Sequence, residues 1–247
     1  MFWNKKNKCP IKKEDQTWVR EMLQWIDREM FPLETKETIL PTKSYINHDF
    51  KGVEQDAEFV LKKIAKIFDT QVDDIELGFY SEEPIELDRG LITKTVDGKG
   101  SAGMYSQDDK KFYIDIEVQQ LKKPNSLITT IAHELSHYVL IGLNQIYEES
   151  EENELLTDLF TIANGFGIFM GNTKFEFSQW QSGDGWGGWQ YSIQGYLPQQ
   201  IIGYAMAEIE INRANSIPDW TKFMKGDFKN DFTKSMNYLI KEKITSR

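Results

Sequence analysis

Ile131-Ala132-His133-Glu134-Leu135-Ser136-His137 and, further along, Asn153-Glu154-Leu155-Leu156-Thr157-Asp158 are the stretches on which the reading of this chain turns. The first has the form H-E-x-x-H and lies in a segment that reads as helix on other grounds. Asn125 and Ser126, after Pro124, are good helix starters, and the helix they open is expected to reach about Leu143. Residues four apart on an α-helix share a face, so His133 and His137 can offer both imidazoles to one ion while Glu134 projects beside them. Two histidines alone leave zinc under-coordinated, because a catalytic site takes three protein ligands and keeps the fourth position open. The second stretch, on an expected helix from Glu151 to about Met170, offers Glu154 as third ligand. Asp158, one turn on, can accept a hydrogen bond from a ligating histidine. The chain between is long enough to finish one helix, turn through Asn144 to Ser150 and return antiparallel.

Each assignment has a plainer competitor. H-E-x-x-H arises by chance in helices, and two buried histidines can be hydrogen-bonded core residues. The helical context, the E-x-x-x-D partner and a total of only 3 histidines favour the metal. Glu148, Glu149, Glu151 and Glu152 read as a solvated turn and helix start, where the helix dipole favours acidic residues. Glu154 is preferred because Asp158 accompanies it and Leu155, Leu156 and Leu159 set this helix against the core, although Asp158 could itself be a surface residue. His48, between Asn47 and Asp49 in a stretch without periodicity, reads as a loop residue unconnected to the metal helix.

On the N-terminal side, Trp18, Met22 and Trp25, with Val19, Leu23 and Ile26, mark an amphipathic helix from about Glu14 to Met30, ended by Pro32. Thr38 to Leu40 reads as extended. A second helix is expected from about Val53 to Phe68, then a strand at Ile75 to Tyr80. Ala102 to Ser106 and Phe112 to Ile116, joined by a polar turn at Gln107 to Lys110, read as a β-hairpin. On the C-terminal side, Asn172 to Tyr196 is rich in Gly, Trp, Phe, Ser and Gln and reads as a long irregular loop or arm. Its Trp186 and Trp189 either line a substrate groove or cover the metal or, as aromatic residues in Gly-rich loops more often do, pack it onto its own domain, the reading slightly preferred. A helix after Pro198 to about Arg213 and one or two more from Pro218 complete the chain. These elements suggest one domain over 1–247: an N-terminal helical region at 1–72, a metal-binding core at 73–171, and an arm with C-terminal helices at 172–247.

Composition narrows the chemistry. The 247 residues are 40% hydrophobic and 13% aromatic, enough for a substantial core. The net charge of −10 is spread along the chain and would repel a phosphate backbone, so nucleic acid is not an expected partner. Cys9 is the only cysteine, so any metal site within the chain must use histidine and carboxylate. Lysines near the N-terminus are followed by no apolar run, and the longest apolar stretch, Thr161 to Met170, is about half of the roughly 20 residues a bilayer crossing needs. The expectation is a soluble cytoplasmic protein without a membrane partner.

H-E-x-x-H followed by N-E-x-x-[ST]-D resembles the gluzincin metallopeptidases, the thermolysin-like branch of the zincins. The resemblance spans roughly Ala102 to Gly171. Gly103-Met104-Tyr105 is similar to a G-x-Y strand of the minimal core of small bacterial gluzincins, and Ile114-Asp115-Ile116 and Thr130-Ile131-Ala132 follow in the same order. Cys9-Pro10, Leu155 to Leu159 and Gly195-Tyr196-Leu197 resemble a group of bacterial proteins of this size, which contributes no substrate. The resemblance implies an α+β fold with a zincin-like core: a small sheet or hairpin, the H-E-x-x-H helix, then a third-ligand helix, with helical additions at both ends. It implies Zn²⁺ held by His133, His137 and Glu154, with Glu134 as general base, Asp158 as outer support and a peptide or protein as substrate. The implied activity is cleavage of an amide bond by Glu-assisted attack of zinc-bound water. The alternative is a non-catalytic binding or regulatory protein that keeps the fold and the ion. In one respect the sequence departs from the family: no histidine follows His137, so either Tyr196 or Tyr204, or else Tyr191 or Arg213, stabilises the oxyanion, or the role is empty.

Overall fold

The computed structural model describes residues 8–81, 85–87, 90–92, 103–107, 111–143, 151–181, 197–214 and 216–245. In chain order the elements are α1 (Lys13–Glu29), α2 (Glu54–Phe68), β1 (Ile75–Tyr80), β2 (Ile85–Leu87), β3 (Gly90–Ile92), β4 (Gly103–Gln107), β5 (Phe112–Glu117), α3 (Pro124–His137), α4 (Glu151–Thr161), α5 (Gly167–Gln181), α6 (Gln199–Arg213) and α7 (Gly226–Thr245). The arrangement is mixed and mostly helical with a small sheet, in keeping with the α+β class. Among the described residues no helix is long and apolar enough to cross a membrane. The chain divides into two compact units, one of Pro41–Asp158 and Phe177–Tyr196, the other of Met1–Leu40, Leu159–Glu176 and Leu197–Arg247.

The unit that begins at Pro41 carries the sheet, in the order β1-β5-β4. β4 and β5 form the expected hairpin, antiparallel with Gly103 opposite Ile116. β1 pairs with the other side of β5 in parallel, Ile75 opposite Phe112, which leaves β4 at an edge among the described residues. Ile114 and Ile116 of the central strand are fully buried. α2 sets Val60, Leu61, Ile64 and Ala65 into the core and ends where Asp69 turns left-handed at φ 58°.

α3 starts one residue before the expected caps, with Pro124 at its first position, where a missing N–H costs nothing. It is buried on nearly every side and packs against α2, β4 and β5. The expected α-helix to Leu143 is corrected: after His137 the coil widens into a π-helical turn at Tyr138–Gly142. Tyr138 donates its hydroxyl to Asp74 at 3.1 Å and meets the Phe112 ring edge-on, which ties the end of the helix to the base of the sheet.

In the other unit α1 buries Val19, Leu23 and Ile26, the stripe read from the sequence, and packs against α6. α6 and α7 approach so closely that a Cβ on Gly203 would stand 2.9 Å from the backbone nitrogen of Phe232. Arg20 of α1 pairs with Glu208 and Glu242, linking three helices.

Two expectations fail in this region. The single helix from Glu151 to Met170 is broken, because Gly165 takes φ 98° and the carbonyl of Glu37 occupies the place of a side chain there. The Gly165 carbonyl in turn accepts the backbone N–H of Ile39 at 2.9 Å. The irregular loop expected from Asn172 is instead helical to Gln181. Asn172 is held from both ends of its amide, donating to the Phe223 carbonyl at 2.8 Å and accepting from the Lys225 N–H at 2.9 Å, so tertiary contacts override a weak local propensity. The rest of that segment, with Trp186, Trp189, Tyr191 and Tyr196, lies outside the described residues.

Candidate metal centre

His133 and His137 sit one turn apart on α3, and their rings present Nε2 to each other at 3.1 Å. α4 brings Glu154 to the same place: its Oε2 is 3.2 Å from His137 Nε2 and 3.5 Å from His133 Nε2. These three residues form the one group among the described residues whose ligand atoms could hold a metal ion together. A tetrahedral zinc, about 2.0 to 2.1 Å from each ligand, spaces its ligands roughly 3.3 to 3.4 Å apart. The three observed separations bracket that value.

The donor set fits an ion on a second ground. Glu154 Oε2 is buried and accepts no hydrogen bond, although two ring nitrogens lie within ion-pair distance of it. A buried carboxylate oxygen without a donor is costly, and folded proteins rarely leave one so. A divalent cation equidistant from the three atoms would satisfy it. Of the acidic run before it, Glu148 and Glu149 lie outside the described residues, as do the side chains of Glu151 and Glu152, and among the described residues Glu154 is the carboxylate placed against both rings.

Behind the rings the support is specific. Asp158, fully buried, sets Oδ1 3.0 Å from His133 Nδ1. Burial disfavours charge on His133, but the Asp158 and Glu154 carboxylates outweigh it, with Glu134 adding to them, and the ring is raised to about 10. Burial likewise works against ionised Glu154, yet the His133 and His137 rings outweigh it and hold the carboxyl down at about 2. Without metal, a proton on His133 balances the carboxylates, and an ion binding there must displace it. Glu134 is buried on the same helix.

The oxyanion candidates are placed differently. Tyr204 belongs to the other unit, is fully buried and donates its hydroxyl to Glu208; burial and that neighbouring carboxylate push it well above the usual tyrosine range. Arg213, also in that unit, donates to the carbonyls of Leu33 and Lys36. His48 is a loop residue, as read, and is bonded to Asp56 at 2.7 Å. Thr157 was missed: its hydroxyl lies 3.5 Å from His137 Nδ1, and the signal was the hydroxyl residue in N-E-x-x-[ST]-D.

Compared with protein-family models, with curated proteins and with solved structures, the chain finds no match in any of the three.

Proposed function

We propose that this chain is a zinc-dependent hydrolase, a metallopeptidase in which a zincin-like core cleaves an amide bond. The observation that carries the reading is Glu154 Oε2, buried without a hydrogen bond and facing two imidazole nitrogens at near-tetrahedral spacing. His133, His137 and Glu154 are the ligands, and Asp158 orients His133 from behind. When bound, zinc supplies Lewis acidity toward a carbonyl oxygen and lowers the pKa of water to about 7. Glu134 accepts the proton of the attacking water on its carboxylate and passes it to the leaving amine. β4, at the sheet edge and packed beside α3, is the strand along which an extended peptide aligns by backbone hydrogen bonds.

The test joins metal analysis to one substitution. The purified chain is expected to hold one zinc, and Glu134→Gln to keep that zinc while turnover of a peptide library falls by about 10² to 10⁴, the usual contribution of general acid-base catalysis. A zinc-free chain, or unchanged cleavage by Glu134→Gln, would overturn the proposal. A second reading, a non-catalytic binding or regulatory protein that retains the ion, is favoured by the engagement of Tyr204 with Glu208 and of Arg213 with backbone carbonyls. Zinc-replete wild type without turnover is the result that selects it.

A further inference from the structure

Thr157 is fully enclosed in α4 at 1% exposure, and its hydroxyl donates to the Asn153 carbonyl one turn back at 2.8 Å. A hydroxyl has one proton, so with that bond made only lone pairs remain on Oγ1. His137 Nδ1 lies 3.5 Å away, and a ring nitrogen facing a lone pair carries the proton. Asp158 makes the same demand of His133, because a carboxylate oxygen 3.0 Å from Nδ1 can only accept. Both rings in their neutral form are then Nδ1–H tautomers with bare Nε2 atoms.

Those bare atoms are the two that stand 3.1 Å apart and face the unpaired oxygen of Glu154. Two neutral rings in this tautomer cannot hydrogen-bond to each other through Nε2, so the contact brings three lone pairs together. A proton taken up between them or a metal cation relieves it, and in the zinc-loaded site the ion takes the place of the proton.

We infer that Thr157 is a positioning residue for the metal: adjacent residues of α4, Thr157 and Asp158, each fix the tautomer of one histidine, so that both offer Nε2 to the same ion. The inference rests on the zinc reading above and adds a requirement to it. Asp158 acts through a charge and Thr157 through a hydroxyl, and an aliphatic side chain of the same shape at 157 removes the Oγ1 that faces His137 Nδ1.

Zinc affinity of the full chain, measured by competition with a chromophoric chelator, tests this directly. Thr157→Val should weaken binding about tenfold, at the low end of the 10 to 100-fold span for outer supports, and Thr157→Ser should restore it to within about threefold of wild type. Should Thr157→Val fail to fold, nitrogen-15 spectra of the zinc-loaded wild type decide, since 3 histidines can be assigned singly. The expected spectrum has His137 protonated at Nδ1 and ligated through Nε2. Equal affinities for wild type and Thr157→Val, or ligation of His137 through Nδ1, overturn the inference and leave the zinc reading intact. A folded wild type that takes up no zinc overturns both.

Discussion

The unit that begins at Pro41 contains two places where histidine meets a buried aspartate, and they behave in opposite ways. Asp56 Oδ1 receives His48 Nε2 at 2.7 Å, while Oδ2 accepts the backbone N–H groups of Lys51, Gly52 and Val53 at 2.9, 2.7 and 3.0 Å. His48 also stacks on Phe59 with ring centroids 4.1 Å apart. Every oxygen there has a donor, and the pair closes the loop onto the start of α2. At His133 and His137 the aspartate is equally buried, but a further carboxylate oxygen from Glu154 is left without a donor, and two Nε2 atoms face it. A histidine beside a carboxylate is therefore no sign of a ligand site by itself. The sign is an acceptor that the protein does not satisfy.

The largest expected effect tests that distinction at its root. His137→Ala should lower zinc affinity on the order of a thousandfold, because apparent zinc binding of about 10 to 16 kcal/mol is shared among three or four ligands, whereas His48→Ala should leave it unchanged. Equal loss from both variants would erase the contrast. Next comes Asp56→Ala, expected to reduce unfolding free energy by about 3 kcal/mol in urea at neutral pH with zinc content intact. Burial works against the Asp56 charge, but the Val53, His48, Lys51 and Gly52 donors outweigh it and hold its carboxyl below the ordinary value. Because the folded value lies below the unfolded one, that stability is present above about pH 4 and lost as the pH falls through the folded value. The gap between wild type and Asp56→Ala should narrow on acidification, and a gap constant from pH 7 to pH 2 would contradict the account. The smallest effect is Asp158→Asn, which keeps the shape and removes the charge behind His133. A loss of 10 to 100-fold in zinc affinity is expected, without change at the His48 site, and chelator competition reads it.

Legibility in the sequence followed the range of the interactions involved. α1, α2 and the β4–β5 hairpin are specified by spacing within a few residues, as is the face shared by His133 and His137, and they lie where that spacing puts them. The parallel partnership of β1 with β5 depends on a register between distant segments, which no local pattern encodes. The break at Gly165 had a signal in Asn164-Gly165, a turn-forming pair, but the apolar residues on both sides masked it. α5 went unread past Asn172 because that residue is a poor helix former, kept helical by carbonyl and N–H groups about fifty positions later in the chain. At the site, Glu154 and Asp158 were legible as chemistry. Thr157 was visible only as a letter in the motif, because its role depends on where its single proton points.

The sheet also sets an order of assembly. β4 and β5 adjoin in sequence and can pair within microseconds, as hairpins do, whereas β1 must close a loop reaching from Tyr80 to Phe112 before its parallel ladder can form. Tyr138 reaches Asp74 just ahead of that late strand, so the far end of the histidine-bearing helix gains its anchor only when the slower pairing is complete. Ion binding should accordingly trail the hairpin in refolding, with its rate set by the arrival of β1.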